Sequence, residues 1–245
     1  MLKCIGVSKR FGGLQAVNNV DLTLKKNEIV GLVGPNGSGK STLLNLISGV
    51  YKPDSGKILL SGEEISAYPS YMICSKGITK TSQSVQSFPD MTTIENVLTS
   101  LLFANKSLKN ETKPNERAKE LLNFVGLDEA KFYLSAKNLN VVELRRVQLA
   151  KALGTYPKIL LLDELLTGLT PRESNEAIEL IRLINRQGIS VLIVEHVMRV
   201  IMGLCNRVTV LHHGGKIFEG TPQEVVNDKN VIKIYLGKRY LLCDD

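Results

Sequence analysis

No apolar run of about 18 residues, the length a membrane-spanning helix requires, occurs in the 245-residue sequence, so a membrane role has to come through a partner. The first residues, Met1 to Val7, lack both the apolar stretch and the cleavage site of a secretion signal, and the chain is expected in the cytoplasm. The cysteines, Cys4, Cys74, Cys205 and Cys243, are far apart and form no C-x-x-C pair. That excludes a zinc site built on such pairs and a disulfide framework, and leaves reduced thiols, with Cys4 and Cys205 expected in the core. Internal repeats and low-complexity segments are absent as well. Basic residues outnumber acidic ones by 7, but they are scattered, which suits a solvated surface better than a nucleic-acid or membrane face. With 43% hydrophobic residues the chain can bury one large domain, or a domain with a subdomain.

What is present is organised around Gly34-Pro35-Asn36-Gly37-Ser38-Gly39-Lys40-Ser41-Thr42. The stretch follows the apolar run Ile29 to Val33 and leads into Leu43-Leu44-Asn45-Leu46-Ile47, giving strand, glycine loop and helix. Gly34, Gly39, Lys40 and Ser41 fit the G-x-x-x-x-G-K-[ST] phosphate-binding pattern in its required context. Glycines let backbone N–H groups converge on a phosphate, and the helix N-terminus adds its unpaired donors and positive dipole end. Lys40 supplies a point charge for the β- and γ-phosphates, and the Ser41 hydroxyl a ligand for Mg²⁺. The alternative is a glycine-rich turn, but at average composition the defining positions coincide in only about one chain in a hundred.

Upstream, Leu2 to Val7 and Val20 to Leu24 are expected strands, with Phe11 between them in Lys9-Arg10-Phe11-Gly12-Gly13. A lone aromatic is either core or, before a phosphate loop, a ring stacked on adenine; both readings stand for Phe11. Lys57 to Leu60 and Ile78 onward are further strands, the latter ending in the polar loop around Gln83. Thr92 and Glu95 form a capping box that opens a helix. Asn105 to Asn115 is an exposed linker and Glu116 to Val125 a helix, followed by Val142 to Leu153. Strand patterns are absent across this interval, which places a helical subdomain at 88–153. The remainder, 1–87 and 154–225, is an α/β core with a mostly parallel sheet, and 226–245 is a C-terminal tail.

Ile159-Leu160-Leu161-Leu162-Asp163-Glu164 is a strand buried on both faces that ends in two carboxylates. Adjacent acids at a strand end are often a solvated loop entry. In a chain with a phosphate loop they are the second half of a nucleotide site, because ligands of parallel sheets gather at the carboxyl ends of the strands. Asp163 then anchors Mg²⁺, and Glu164 orients and deprotonates the attacking water. Thr170, Pro171 and Glu173 cap a helix that runs to Gln187, and Ser190 to Val194 is the next buried strand, ending in Glu195 and His196. His196 is either a satisfied core histidine or a contact to the γ-phosphate, and its place at a strand end favours the contact. A hairpin follows across His212-His213-Gly214-Gly215, and Thr221 with Glu224 caps a last short helix.

These elements together resemble the ATP-binding subunits of ABC transporters over essentially the whole chain. Gly34 to Thr42 matches Walker A, Gln83 the Q-loop glutamine, Leu139 to Arg145 the signature position, Ile159 to Glu164 Walker B with its catalytic glutamate, and His196 the switch histidine. Phe11 falls at the adenine-stacking aromatic. Within that family Phe11 to Val17, Phe88 to Thr92, Gly168 to Pro171, Glu195 to Met198, Met202 to Cys205 and Ile234 to Gly237 look like the branched-chain amino-acid importer subgroup. The resemblance implies a P-loop NTPase fold of α/β class, with a mostly parallel RecA-like core sheet, an N-terminal antiparallel β subdomain and a helical subdomain. It also implies a head-to-tail dimer that sandwiches two ATPs, with Mg²⁺ as cofactor and Gln83 beside the metal. Transmembrane permease subunits would be moved by closure, a substrate-binding protein would take part indirectly, and the chain would sit on the inner face of the cell membrane. DNA-associated relatives carry long coiled-coil insertions; no heptad run is present, and no nucleic-acid partner is expected.

The signature departs from the family's Leu-Ser-Gly-Gly-Gln, reading Leu139-Asn140-Val141-Val142-Glu143. Val142 is expected to disfavour a positive φ and crowd the phosphate, and Glu143 to bring a negative charge to a polyanion. Because signature residues serve the partner's ATP, the departure points to a heterodimer with a different second ATPase subunit. The leading function is an ATPase powering import of branched-chain amino acids or a similar small polar solute. The alternatives are a nucleotide-binding subunit that hydrolyses poorly, and a lipid or polysaccharide exporter ATPase.

Overall fold

The computed structural model describes residues 1–82, 87–103, 113–166 and 168–236. Among them the strands form two sheets. The first is antiparallel, in the order β2-β1-β4-β5, from β1 (Leu2–Phe11), β2 (Leu14–Leu24), β4 (Ser55–Leu60) and β5 (Glu63–Glu64). The second runs β10-β9-β3-β8-β7-β6, from β3 (Ile29–Val33), β6 (Ile78–Lys80), β7 (Ile159–Asp163), β8 (Ser190–Val194), β9 (Arg207–His212) and β10 (Gly215–Gly220). Pairs β3/β8, β3/β9, β6/β7 and β7/β8 are parallel, and only β9/β10 is antiparallel. A parallel sheet sends all its strand ends to one edge, so the carboxyl ends of β3, β6, β7 and β8 lie along that edge.

Strand parity explains why β3, β7 and β8 are buried throughout. Successive side chains point to opposite faces. Val30, Leu32, Ile159, Leu161, Leu192 and Val194 join Ile78 and the helix α1 (Lys40–Ile47) in one core. Ile29, Val33, Leu160, Leu162, Val191 and Ile193 join a second core with α5 (Val141–Leu153), α6 (Pro171–Arg186) and α7 (Met198–Leu204). The short helix α2 (Ser70–Ser75) follows the antiparallel sheet, and α3 (Thr93–Phe103) and α4 (Pro114–Phe124) pack with α5.

Several sequence expectations shift. The first strand reaches Phe11, and Phe11 pairs with Leu14, so Gly12 and Gly13 are a two-residue hairpin turn. Phe11 is 41% exposed and meets Tyr51 edge-on, which rules out the core reading. Pro114 and Asn115 are not linker but the first turn of α4, where a proline's missing N–H costs nothing. Of the 226–245 tail, α8 (Pro222–Asn227) and α9 (Lys229–Leu236) account for the described part, with Val231 buried. The capping boxes at Thr170/Glu173 and Thr221/Glu224 form as expected, and Thr92 and Glu95 exchange the same bonds at α3. Cys4 is buried and Cys205 nearly so, and burial pushes both thiols up to about 12. Among the described residues no helix is long and apolar enough to cross a membrane.

Candidate functional site

The loop after β3 has the backbone that its glycines were expected to permit. Gly39 takes a φ of 101° ahead of α1, and a Cβ there would collide with the Ala16 carbonyl oxygen on β2. Gly34, at φ 153°, leaves no room for a Cβ beside the Leu211 carbonyl oxygen. The loop is braced from outside by the β9–β10 turn: the Gly214 amide donates to Ser38 O at 3.1 Å, and Gly214 O accepts from Asn18 N at 2.8 Å. Gly214 thus has a role that the hairpin pattern alone did not show.

Inside the loop, Lys40 Nζ donates to the carbonyls of Gly34 at 2.8 Å and Pro35 at 2.9 Å. Burial lowers the Lys40 pKa, and the charges of Glu164 and Asp163 pull it back up. Ser38 Oγ is buried and has no hydrogen-bond partner among the described residues. An orphaned hydroxyl in a cradle of glycine amides is the donor set an anionic phosphate satisfies.

Parity brings the carboxylate to this loop. Asp163 continues the face of Ile159 and Leu161, toward α1, where its Oδ1 accepts from Ser41 Oγ at 3.2 Å. Lys80 continues the face of Ile78, and its Nζ lies 3.1 Å from Asp163 Oδ2 and donates to Asn45 Oδ1 at 2.6 Å. Ser41 and Asn45 are four apart and share one side of α1. A hydroxyl and a carboxylate oxygen side by side are hard donors of the kind Mg²⁺ takes. Lys80 and Asn45 belong to this cluster and were not singled out in the sequence, although counting alternate residues along β6 reaches Lys80.

Glu164 follows with a left-handed backbone, φ 52°, which is uncommon for a side chain of its size and gathers at functional sites. Its amide continues the sheet by donating to Val194 O at 3.0 Å. One Glu164 oxygen, Oε1, lies 2.8 Å from His196 Nε2. The ends of β3, β7 and β8 therefore bring together Lys40, Ser41, Asp163, Glu164 and His196. Gln83 lies outside the described residues.

The chain from 17 to 167 matches the family model described as ABC transporter. The chain belongs to the ABC transporter family. A second model, described as branched-chain amino acid ATP-binding cassette transporter, matches residues 216–240. The high-affinity branched-chain amino acid transport ATP-binding protein LivG of Escherichia coli is 38% identical, over 97% of this chain and 98% of that protein. The lipopolysaccharide export system ATP-binding protein LptB of Haemophilus influenzae is 34% identical over 99% of each. Among solved structures, a dimeric post-hydrolysis ATP-binding cassette bound to ADP and Pi superimposes with a TM-score of 0.82 at 27% identity, covering 91% of this chain and 99% of that one. The chain is thus an ATP-binding, ATP-hydrolysing cassette of the P-loop NTPase class, the kind of subunit that acts as a dimer with membrane permeases.

The signature segment differs from its expectation. Val142 lies in the first turn of α5 with no positive φ, so a β-branched residue brings no backbone strain there. Asn140 is the N-cap: its side chain accepts from Glu143 N at 3.0 Å, and Glu143 Oε2 accepts from Asn140 N at 3.0 Å. Glu143 Oε1 is taken by Lys131. Burial would raise the Glu143 pKa, but Lys131 and the Asn140 amide bring it below the ordinary value. The charge expected to repel a phosphate is thus paired and turned back onto its own helix. Val141 is 59% exposed at the tip.

Proposed function

We propose that this cassette powers import of branched-chain amino acids or a similar small polar solute, from the inner face of the cell membrane. The match of residues 216–240 carries the reading, because the nucleotide core is common to ABC ATPases while this C-terminal module is described for branched-chain amino-acid cassettes. The 34% identity to LptB supports a second reading, a lipid or polysaccharide exporter ATPase. Purification with its permeases distinguishes them. Hydrolysis stimulated by a binding protein loaded with leucine, isoleucine or valine supports import, and stimulation by a lipid-linked saccharide alone overturns it.

In this reading residues 34–42 hold the phosphates, with Lys40 on the β- and γ-oxygens, and Phe11 lies against the adenine. Ser41 and Asp163 would hold Mg²⁺, with Gln83 assigned to the metal by the family resemblance alone, and the ion would neutralise charge on the β- and γ-phosphates. Glu164 takes the proton from water as its oxygen attacks the γ-phosphorus and the bond to the bridging oxygen breaks, releasing ADP. His196, bonded to Glu164, orients that carboxylate and contacts the γ-phosphate. Residues 88–153 form the helical subdomain that passes closure to the permease, and a binding protein delivers the solute from the far side.

Asn140, Val141, Val142 and Glu143 face the partner's ATP, and their departure from the family's Ser-Gly-Gly-Gln favours a heterodimer with a second ATPase subunit. Brisk, cooperative hydrolysis by this chain alone that Glu164→Gln abolishes would sink the heterodimer. The alternative of a poorly hydrolysing subunit is tested with Val142→Gly under single-turnover conditions: a faster rate identifies the signature as limiting, and an unchanged rate counts against it.

A further inference from the structure

One buried acid has no part in the chemistry above. Glu195, between β8 and His196, is 1% exposed, and its Oε2 has no hydrogen-bond partner among the described residues. Its Oε1 accepts the Leu166 amide at 2.7 Å. Leu166 lies two residues beyond Glu164, whose own amide is bound to Val194 O at 3.0 Å. The backbone on both sides of this short segment is therefore fastened to consecutive residues of one strand end. The next residue along that strand end is His196, 2.8 Å from the Glu164 carboxylate.

A backbone fastening alone would be provided by the Val194 carbonyl. The second fastening lies two residues beyond Glu164, whose backbone takes a left-handed conformation that its side chain disfavours. We propose that Glu195 is a positioning residue: by binding the Leu166 amide it fastens the segment that presents Glu164 to His196 and to the attacking water. Burial raises the Glu195 pKa against the amides of Leu166 and His196, and the Glu164 charge pushes the same way.

The inference rests on Glu164 and His196 carrying hydrolysis. The test compares Glu195→Ala, Glu195→Gln and Glu164→Gln in the full chain, by single-turnover hydrolysis of Mg·ATP and by equilibrium binding of a fluorescent ATP analogue. Glu195→Ala is expected to slow hydrolysis by about 10- to 100-fold with binding unchanged, as a small misplacement of a reacting group does. Glu195→Gln keeps an acceptor at the same point and is expected to recover the rate to within about threefold, with the pH–rate profile of the wild type. If Glu195→Ala does not fold, Glu195→Met fills the space without an acceptor to match and takes its place. A wild-type rate in either, or a Gln variant as slow as they are, overturns the proposal. So does a Gln profile that lacks a wild-type limb, which would make Glu195 itself a proton carrier. Full hydrolysis by Glu164→Gln would instead overturn the reading beneath it; an inactive Glu164→Gln beside a fast Glu195→Ala removes this inference alone.

Discussion

Lys80 Nζ lies 3.1 Å from Asp163 Oδ2, and the carboxylate it meets is 3% exposed. The pair spans neighbouring strands and reaches α1 through Asn45, so a cation resident in the protein already balances Asp163. Removing one partner of a buried pair leaves the other uncompensated. Lys80→Met is therefore expected to lower the stability of the nucleotide-free chain by about 3 kcal/mol, the low end for a buried pair, because the lysine is partly exposed. Mg·ATP should restore part of the loss by placing another cation beside the same carboxylate. Urea unfolding in EDTA and in Mg·ATP checks this, and an equal loss in both would refute it.

What was legible in the sequence was local or periodic. The capping boxes at Thr170 and Thr221 need residues only three apart, and the strand Ile159 to Asp163 is announced by its unbroken apolar run. The cluster of Ser41, Asp163, Glu164 and His196 followed because parallel strands share one edge. The extension of β1 to Phe11 was not legible because Ser8, Lys9 and Arg10 break the apolar alternation, which is completed only by pairing with β2. The Lys131 to Glu143 pair and the Gly214 brace were invisible because each joins segments whose approach is set by the tertiary fold.

Phe11 at the hairpin tip offers a direct check on the adenine reading. Its ring is largely open and touches Tyr51 and the Lys9 ammonium, so little of the core depends on it. Phe11→Ala should leave the melting temperature close to wild type. If the ring stacks on adenine, the change costs about 1–3 kcal/mol of binding, the range for aromatic-base stacking. Calorimetric titration with ATP measures it, and unchanged affinity would remove Phe11 from the site.

Asn140 caps α5 from a segment proposed to serve another subunit's nucleotide. Asn140→Ala is expected to lower stability by about 1 kcal/mol, the usual loss for an N-cap side chain. It should leave the isolated chain's own affinity for ATP as it was. Urea unfolding and fluorescent-nucleotide binding on the same protein separate the two effects. A weaker affinity in the monomer would place the segment in this chain's own site.

The buried Glu195 also makes a prediction about pH. Its pKa is raised above the ordinary 4.5 by burial, beside the charge of Glu164 and against the Leu166 and His196 amides, so the folded chain keeps a proton that the unfolded chain releases. A group with a raised folded pKa contributes stability that is complete below its unfolded pKa and is lost as pH rises through the folded one. Wild type therefore loses this contribution above about pH 4.5, the unfolded carboxyl range, whereas Glu195→Gln has no proton to lose. Titrating groups distant from residue 195 are common to both proteins and cancel in the difference, while Glu164 and His196, which face it, are coupled to it. The melting temperature of Glu195→Gln minus that of wild type should grow as pH rises from 4 to 8, scanned in matched buffers of one ionic strength. A difference that stays flat would mean that Glu195 is ionised in the folded protein, and one that shrinks would reverse the sign of its shift.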